Sequence, residues 1–220
     1  MRKQIALIIG ATGMVGKELL KQLLAHSDYS EVKVFTRRAT GMKHEKLNEF
    51  IVDFNRPYDW NDSLTGDVLF SVMGTTIKKA KSQDAQYKID YTYQYEAAKH
   101  SAGNKVGNYV LVSSTGANST SNVFYSRMKG ELDEAVQKLS FEKIMIMRPS
   151  VLDGDRMESR PMEQFSIKAM NILSVLIPPI RKWRPIHASI VAKAMINAHL
   201  KKEESGIFEL EGVFELAGMG

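Results

Sequence analysis

Tyr125 and Lys129, four residues apart, are the side chains in this chain best suited to acid–base work. On a helix they share one face. An ammonium beside a phenol favours the ionised form, so the hydroxyl can pass a proton to or from a reacting oxygen. Just upstream stand Ser113 and Ser114. A serine hydroxyl at that point could hydrogen-bond a substrate oxygen and stabilise charge developing on it. The Tyr–Lys spacing alone is a weak signal, because Tyr29/Lys33 and Tyr95/Lys99 repeat it. Position separates the three. Tyr29 falls in a loop and Lys33 in the apolar run after it, and Tyr95/Lys99 sits on a helix remote from any serine-bearing strand end. Only Tyr125/Lys129 opens a helix just after one.

A second chemistry is written near the start, as Gly10-Ala11-Thr12-Gly13-Met14-Val15-Gly16. As a string G-x-x-G-x-x-G is common; between an apolar run and a helix it is specific. Gly10 suits a tight strand-to-helix turn, Gly13 allows close approach of a pyrophosphate, and Gly16 lets the helix pack against the sheet. Thr12, Met14 and Val15 complete the cradle, and the free N–H groups of the helix start face the anion. The second apolar run ends in Arg37-Arg38 rather than in an acid. An acid there would bind ribose hydroxyls, whereas arginines suit a 2′-phosphate, so NADP(H) is expected over NAD(H). Asp53-Phe54 is expected to cover the adenine, and Gly74-Thr75-Thr76 to line the middle of the cofactor.

These residues need a frame. Apolar runs at 4–10, 31–36, 48–53, 67–73, 108–114, 143–148 and 206–211 alternate with helix-period segments at 14–26, 83–101, 122–139, 162–176 and 188–200. That alternation predicts an α/β fold: a doubly wound, mostly parallel Rossmann sheet with helices on both faces. Its ligands sit at the carboxyl ends of the strands, where the glycine loop, the arginines, the serines and Tyr125 all fall. The expected organisation is one dinucleotide-binding domain over 1–220. Within it, 149–187 carries five of the six prolines and reads as an insertion covering the substrate.

Composition bounds the rest. The chain has 220 residues, 44% hydrophobic and 25% charged, which is ordinary for a globular protein. The absence of cysteine excludes a disulfide scaffold, a thiolate metal site and a cysteine nucleophile. The five histidines show no metal-ligand spacing, so no metal is expected. The net charge of +5 is spread along the chain, which fits a solvated surface plus an anionic ligand and argues against nucleic acid. Arg181-Lys182-Trp183-Arg184 follows an apolar helix and would allow at most a weak membrane-surface or protein contact. His187 reads as a residue at the start of a helix, and Met145 and Met147 as core filling. The first apolar run is too short for a signal peptide, and 169–180 too short for a membrane span, so a cytoplasmic protein is expected, as monomer or homodimer.

Taken in order, GATGMVG, MGTT, SSTGAN, YSRMK, RPSVLDGDRMESRP and PIHASIVAKAM resemble the short-chain dehydrogenase/reductase superfamily. The resemblance is best to its atypical Tat-interacting-protein-like NADPH-binding oxidoreductases, and it covers nearly the whole chain. It implies that Tyr125 donates a proton, that Lys129 holds the nicotinamide ribose, and that Ser114 orients a substrate carbonyl, with Ser113 the alternative. It also implies that Pro149 to Leu152, Val151 included, lie beside the nicotinamide. No asparagine can be assigned as a fourth catalytic member. Nucleotide-sugar epimerases of the superfamily carry a substantial further substrate domain, so a small substrate is expected here. The expected activity is NADPH-dependent reduction of a small carbonyl compound. The competing expectation is an NADPH-sensing regulatory or protein-interaction module with little or no catalysis.

Overall fold

Ala6, Leu7, Ile8 and Ile9 are all fully buried, so the strand that holds them must be covered on both faces. The computed structural model describes residues 2–153, 184–201 and 204–219, and it shows how. Strands β1 (Gln4–Ile9), β2 (Tyr29–Thr36), β3 (Leu47–Ile51), β4 (Val68–Ser71), β5 (Asn108–Val112), β6 (Lys143–Arg148) and β9 (Gly206–Glu209) form one parallel sheet. Their order is β3-β2-β1-β4-β5-β6-β9. Strands β7 (Leu152–Asp153) and β8 (Ile186–His187) pair separately. The order reverses direction between β1 and β4, the place where such sheets open a crevice for ligands.

The period-2 alternation divides the core cleanly. Ala6, Ile8, Val32, Val34, Phe70 and Val110 face α1 (Met14–Ala25), α6 (Ala188–Leu200) and α7 (Glu211–Leu216). Leu7, Ile9, Leu69, Tyr109, Leu111 and Ile146 face α4 (Tyr93–Gly103) and α5 (Phe124–Val136). The helices supply matching stripes, Leu19, Leu20, Leu23 and Leu24 from α1 and Leu132 and Val136 from α5. Met145 and Met147 are fully buried on β6, as core filling requires. His187 caps α6, its Nδ1 accepting from Ser189 N at 3.2 Å.

Several expectations need adjustment. Tyr29 opens β2 instead of lying in the loop before it. The runs expected to continue through Met73 and Ser114 leave the sheet at Ser71 and Val112, which frees Met73, Gly74, Ser113 and Ser114 as loop residues. The helix expected over 83–101 is α3 (Gln83–Tyr87), one wide π turn (Lys88–Thr92) and α4. Two short helices, α2 (Ile77–Ala80) and α7, were absent from the periodicity, as both are under two turns. The expected helix 162–176 and most of the segment 149–187 lie outside the described residues. Among the described residues no helix is long and apolar enough to cross a membrane.

One buried group makes the fold sensitive to acid. His199 of α6 is 7% exposed, packs against the rings of Tyr29 and Phe70, and has no partner for Nδ1 among the described residues. Burial pulls its pKa down to about 4, against a weaker opposing pull from Asp67. The unfolded chain takes up this proton near 6.5 and the folded chain only near 4. The neutral ring therefore contributes stability that is complete above pH 6.5 and is lost progressively as pH falls toward 4. His199→Phe should flatten that slope, so the wild type should lose about 3 kcal/mol more than the variant over this window. Urea melts of both proteins at several pH values check it, and parallel curves would refute it.

Candidate active site

The turn after β1 is built from backbone contacts that no side chain could share. Gly10 has φ +88°, and a Cβ there would lie 2.6 Å from Met73 N and 2.7 Å from the Val72 carbonyl. At Gly16 a Cβ would lie 2.1 Å from Gly10 O, so the first turn of α1 rests directly on the loop. Gly13 is different. It caps α1, is exposed, and a Cβ there would meet Gly10 O at a tight but tolerable 3.3 Å. No acidic side chain stands in the first turn of α1 and no side chain caps it. The N–H groups are left to face an anion.

A cleft of about 390 Å³ opens from this turn across the carboxyl ends of β1, β4 and β5. Of the expected residues, Thr12, Gly13, Met14, Val15, Arg38, Gly74, Thr75, Thr76 and Ser113 line it, together with Tyr125 and Lys129. Gly10 and Gly16 form the turn beneath. Lys17 and Lys79 also line the cleft and were not foreseen. With Arg38 they bring three basic residues to one cleft, a grouping that only the folded topology creates. The glycine turn, the bare helix start and these cations fit a dinucleotide.

Other expected cofactor contacts lie elsewhere. Phe54 is 5% exposed and packs against Trp60 and Tyr93 in the core, so its ring is turned from the cleft. Asp53 is exposed and bonded by the backbone and side chain of Asn55, which hold its carboxyl below the usual range. Arg37 is exposed and stands outside the cleft lining, unlike its neighbour Arg38. Pro149 is buried, its carbonyl accepting from Thr115 N at 3.2 Å. Val151 is exposed, and it is Leu152 that reaches the cleft.

Tyr125 and Lys129 share one face of α5. Tyr125, 42% exposed, and Lys129, 2% exposed, lie one turn apart at the start of α5 and line the same cleft. Lys129 Nζ donates to Val112 O at 3.2 Å, fixing the ammonium at the end of β5. The two serines part company. Ser113 Oγ is sealed from solvent next to Asp133, while Ser114 is half-buried, its hydroxyl making only a 3.4 Å contact to Thr115 O and lying outside the cleft lining. The loop that carries Ser114 is clamped on α5 at Gly130, where a Cβ would lie 2.2 Å from Ser119 N. Asn118 N donates to Ser126 O at 3.0 Å and Arg127 donates to Ser121 O at 2.9 Å.

Two buried carboxylates complete the electrostatics. Asp133 of α5 is bonded by Arg148 at 2.9 Å, and Arg148 also reaches Glu209 of β9 at 2.7 Å. Burial pushes the Asp133 carboxyl upward, opposed by the Ser113 hydroxyl, Lys129 and Arg148. Asp90 sits in the π turn, 1% exposed, and lines the cleft. Its carboxylate accepts from Thr75 N at 2.7 Å. Burial pushes its pKa up to about 6, against the Lys129 ammonium and the Thr75 N–H. Sequence reasoning missed Asp90 because nothing in helix periodicity announces an extra residue in a turn.

With this geometry in hand the comparisons are informative. Residues 10–163 match the family model described as NAD(P)H-binding. The protein fmp52, mitochondrial, of Aspergillus niger is 36% identical over 205 residues, which cover 88% of this chain and 86% of the relative. Protein HTATIP2 of Rattus norvegicus is 32% identical over 217 residues, covering 96% of this chain and 86% of the relative. Among solved structures, the Bordetella bronchiseptica enzyme WbmG in complex with NAD superposes with a TM-score of 0.71. It is 13% identical, over 98% of this chain and 76% of that one. The fungal relatives are named mitochondrial, which overturns the expectation of a cytoplasmic protein. That expectation rested on the length of apolar runs, which does not bear on an organelle.

The glycines of the turn should separate by mutation. Gly16→Ala should destabilise the protein by about 2 kcal/mol or more, since backbone must move to admit the methyl group. Gly13→Ala should melt near the wild type yet bind NADPH about tenfold more weakly, its methyl group entering the cleft. Thermal melts and calorimetric titration of each variant distinguish the two, and equal melting losses would sink the assignment.

Proposed function

The chain belongs to the NAD(P)H-binding family as an atypical short-chain dehydrogenase/reductase, and from that premise we propose that it is an NADPH-dependent reductase of a small carbonyl compound. The observation that carries this reading is the convergence of Tyr125, the buried Lys129 and the glycine turn on one cleft. A regulatory nucleotide sensor needs the cradle, whereas a phenol one helical turn from a buried ammonium in the same cleft supports chemistry.

Bound NADPH supplies the hydride that reduces the carbonyl carbon. The protein's residues do the rest. The N–H groups at the start of α1 and the Lys17 ammonium hold the phosphates, with Arg38 on the 2′-phosphate that distinguishes NADPH from NADH. Lys129, anchored on Val112 O, meets the nicotinamide ribose and keeps a positive charge beside Tyr125. The Tyr125 hydroxyl gives its proton to the carbonyl oxygen as negative charge develops there, yielding an alcohol. Ser114 is assigned to orient that oxygen from the loop beside the cleft, where Ser113 lines the wall with its Oγ buried against Asp133. Leu152, which lines the cleft, is assigned to the substrate side.

Two variants test this. Tyr125→Phe should keep NADPH affinity and lose turnover by about 100-fold or more. Arg38→Ala should weaken NADPH binding toward the NADH level by about tenfold while leaving NADH unaffected. NADPH consumption with a panel of aldehydes and quinones, beside calorimetry, provides both readouts. Full activity in Tyr125→Phe, or ligand-dependent partner binding with no turnover in the wild type, would overturn the enzymatic reading.

A further inference from the structure

Lys129 is a nearly fully buried ammonium, and removing such a charge from water is costly unless an opposite charge stands near. Two buried carboxylates act on it, Asp133 and Asp90. They are not equivalent. Asp133 lies on the same helix as Lys129 and is committed to Arg148 at 2.9 Å. Asp90 comes from a different element, and the groups that bond its carboxylate, the Thr75 N–H and the Gln86 amide, are neutral. The Lys129 ammonium acts on it and opposes the effect of burial.

The local backbone is arranged around this carboxylate. The chain between α3 and α4 widens into a π turn at Lys88–Thr92, with Asp90 in its middle. Such single turns carry an extra residue whose side chain is re-aimed, and they recur at functional sites. Gln94 Nε2 donates to Asp90 O at 2.6 Å, and Ser71 Oγ at the end of β4 donates to Gln94 Oε1 at 2.7 Å. A chain of buried polar groups thus ties the turn to the sheet. The facing groups are few: Lys129 and Tyr125 from α5 and Lys79 from α2 line the same cleft, while Glu131 of α5 is taken by the Tyr87 hydroxyl at 3.0 Å.

We infer that Asp90 is a positioning residue that acts on Lys129 across the shared cleft, a buried carboxylate whose negative charge favours the ammonium beside Tyr125. The inference rests on the reading that Tyr125 and Lys129 perform the chemistry. It assigns the acid limit of turnover to Asp90. Above about pH 6 the couple is intact; below it the carboxyl takes a proton and Lys129 loses its countercharge. Turnover then declines while the cradle at the other end still binds nucleotide.

Asp90→Asn is the decisive variant, because the amide oxygen can still accept from Thr75 N and a merely structural role would survive. Its expected signature is a loss in NADPH affinity much smaller than the loss in kcat, kcat lowered about tenfold or more, and loss of the acid limb near pH 6, with Asp90→Glu restoring part of kcat and of the acid limb. Wild-type kcat and an unaltered acid limb in Asp90→Asn would overturn the inference. A second measurement needs no turnover. In full-length protein labelled with carbonyl-13C aspartate, the Asp90 resonance, identified by its loss in Asp90→Asn, should titrate near 6. In Lys129→Met its proton affinity should rise about tenfold or more. An Asp90 titration unmoved by Lys129→Met disproves the couple itself, whereas a shifted titration in a protein that turns over nothing disproves only the enzymatic reading.

Discussion

The cleft depends on one backbone contact, the seat of α1 on the turn that leaves β1. A Cβ at Gly16 would fall 2.1 Å from Gly10 O, and one at Gly10 would fall 2.6 Å from Met73 N. Three pieces of chain, the end of β1, the start of α1 and the segment after β4, are therefore closer than side chains allow. That closeness aims the N–H groups of α1 into the space between β1 and β4, and it brings Gly74, Thr75 and Thr76 to the opposite wall. Every other ligand-facing residue is placed relative to this junction. Were α1 to seat a few ångströms higher, Lys17 and Arg38 would no longer converge.

At the far end of the cleft the order comes from charge. Arg148 ends β6 and bonds both Asp133 on α5 and Glu209 on β9, so one guanidinium links the helix that carries Tyr125 to the edge of the sheet. A planar fork with several donors suits that task, where a lysine would serve one partner. Gly130 acts on the same helix from the other side, letting the loop after β5 lie against its backbone. The end that carries Tyr125 is thus fixed by an ion pair and by a close approach, and both act through α5.

Much of this was legible in the residues, and for stated reasons. Fully apolar strands announce a sheet covered on both faces, and the positions of β1, β6 and α6 follow directly from their runs. The glycine turn and the Tyr125/Lys129 pair are local in sequence, so their spacing carries their geometry. What escaped is non-local. Lys79 lies on a helix of four residues, too short to leave a periodic trace, and Lys17 looks like any exposed helix residue until Arg38 is brought opposite. Phe54 misled because an aromatic at a strand end reads the same whether it faces a ligand or, as here, Trp60 and Tyr93. Asp90 was invisible because a π turn has no sequence period.

The distribution of buried ionisable groups argues for the same end of the molecule. His199, Tyr29 and Tyr109 are buried in the core, and burial pushes each toward its neutral form, the histidine pKa down and the two tyrosines up. Such residues pack as apolar rings with a polar tip. Lys129, Asp90 and Asp133 are as deeply buried, yet they gather within one neighbourhood and act on one another. A core built for stability alone would replace them with apolar side chains of similar volume, often at no loss. Their retention around the cleft where Tyr125 stands is a local departure from what packing favours. Such departures concentrate at sites where a charge has work to do. Two of the costly groups, Lys129 and Asp90, line the same cleft as the glycine turn, so their cost falls where a ligand would sit.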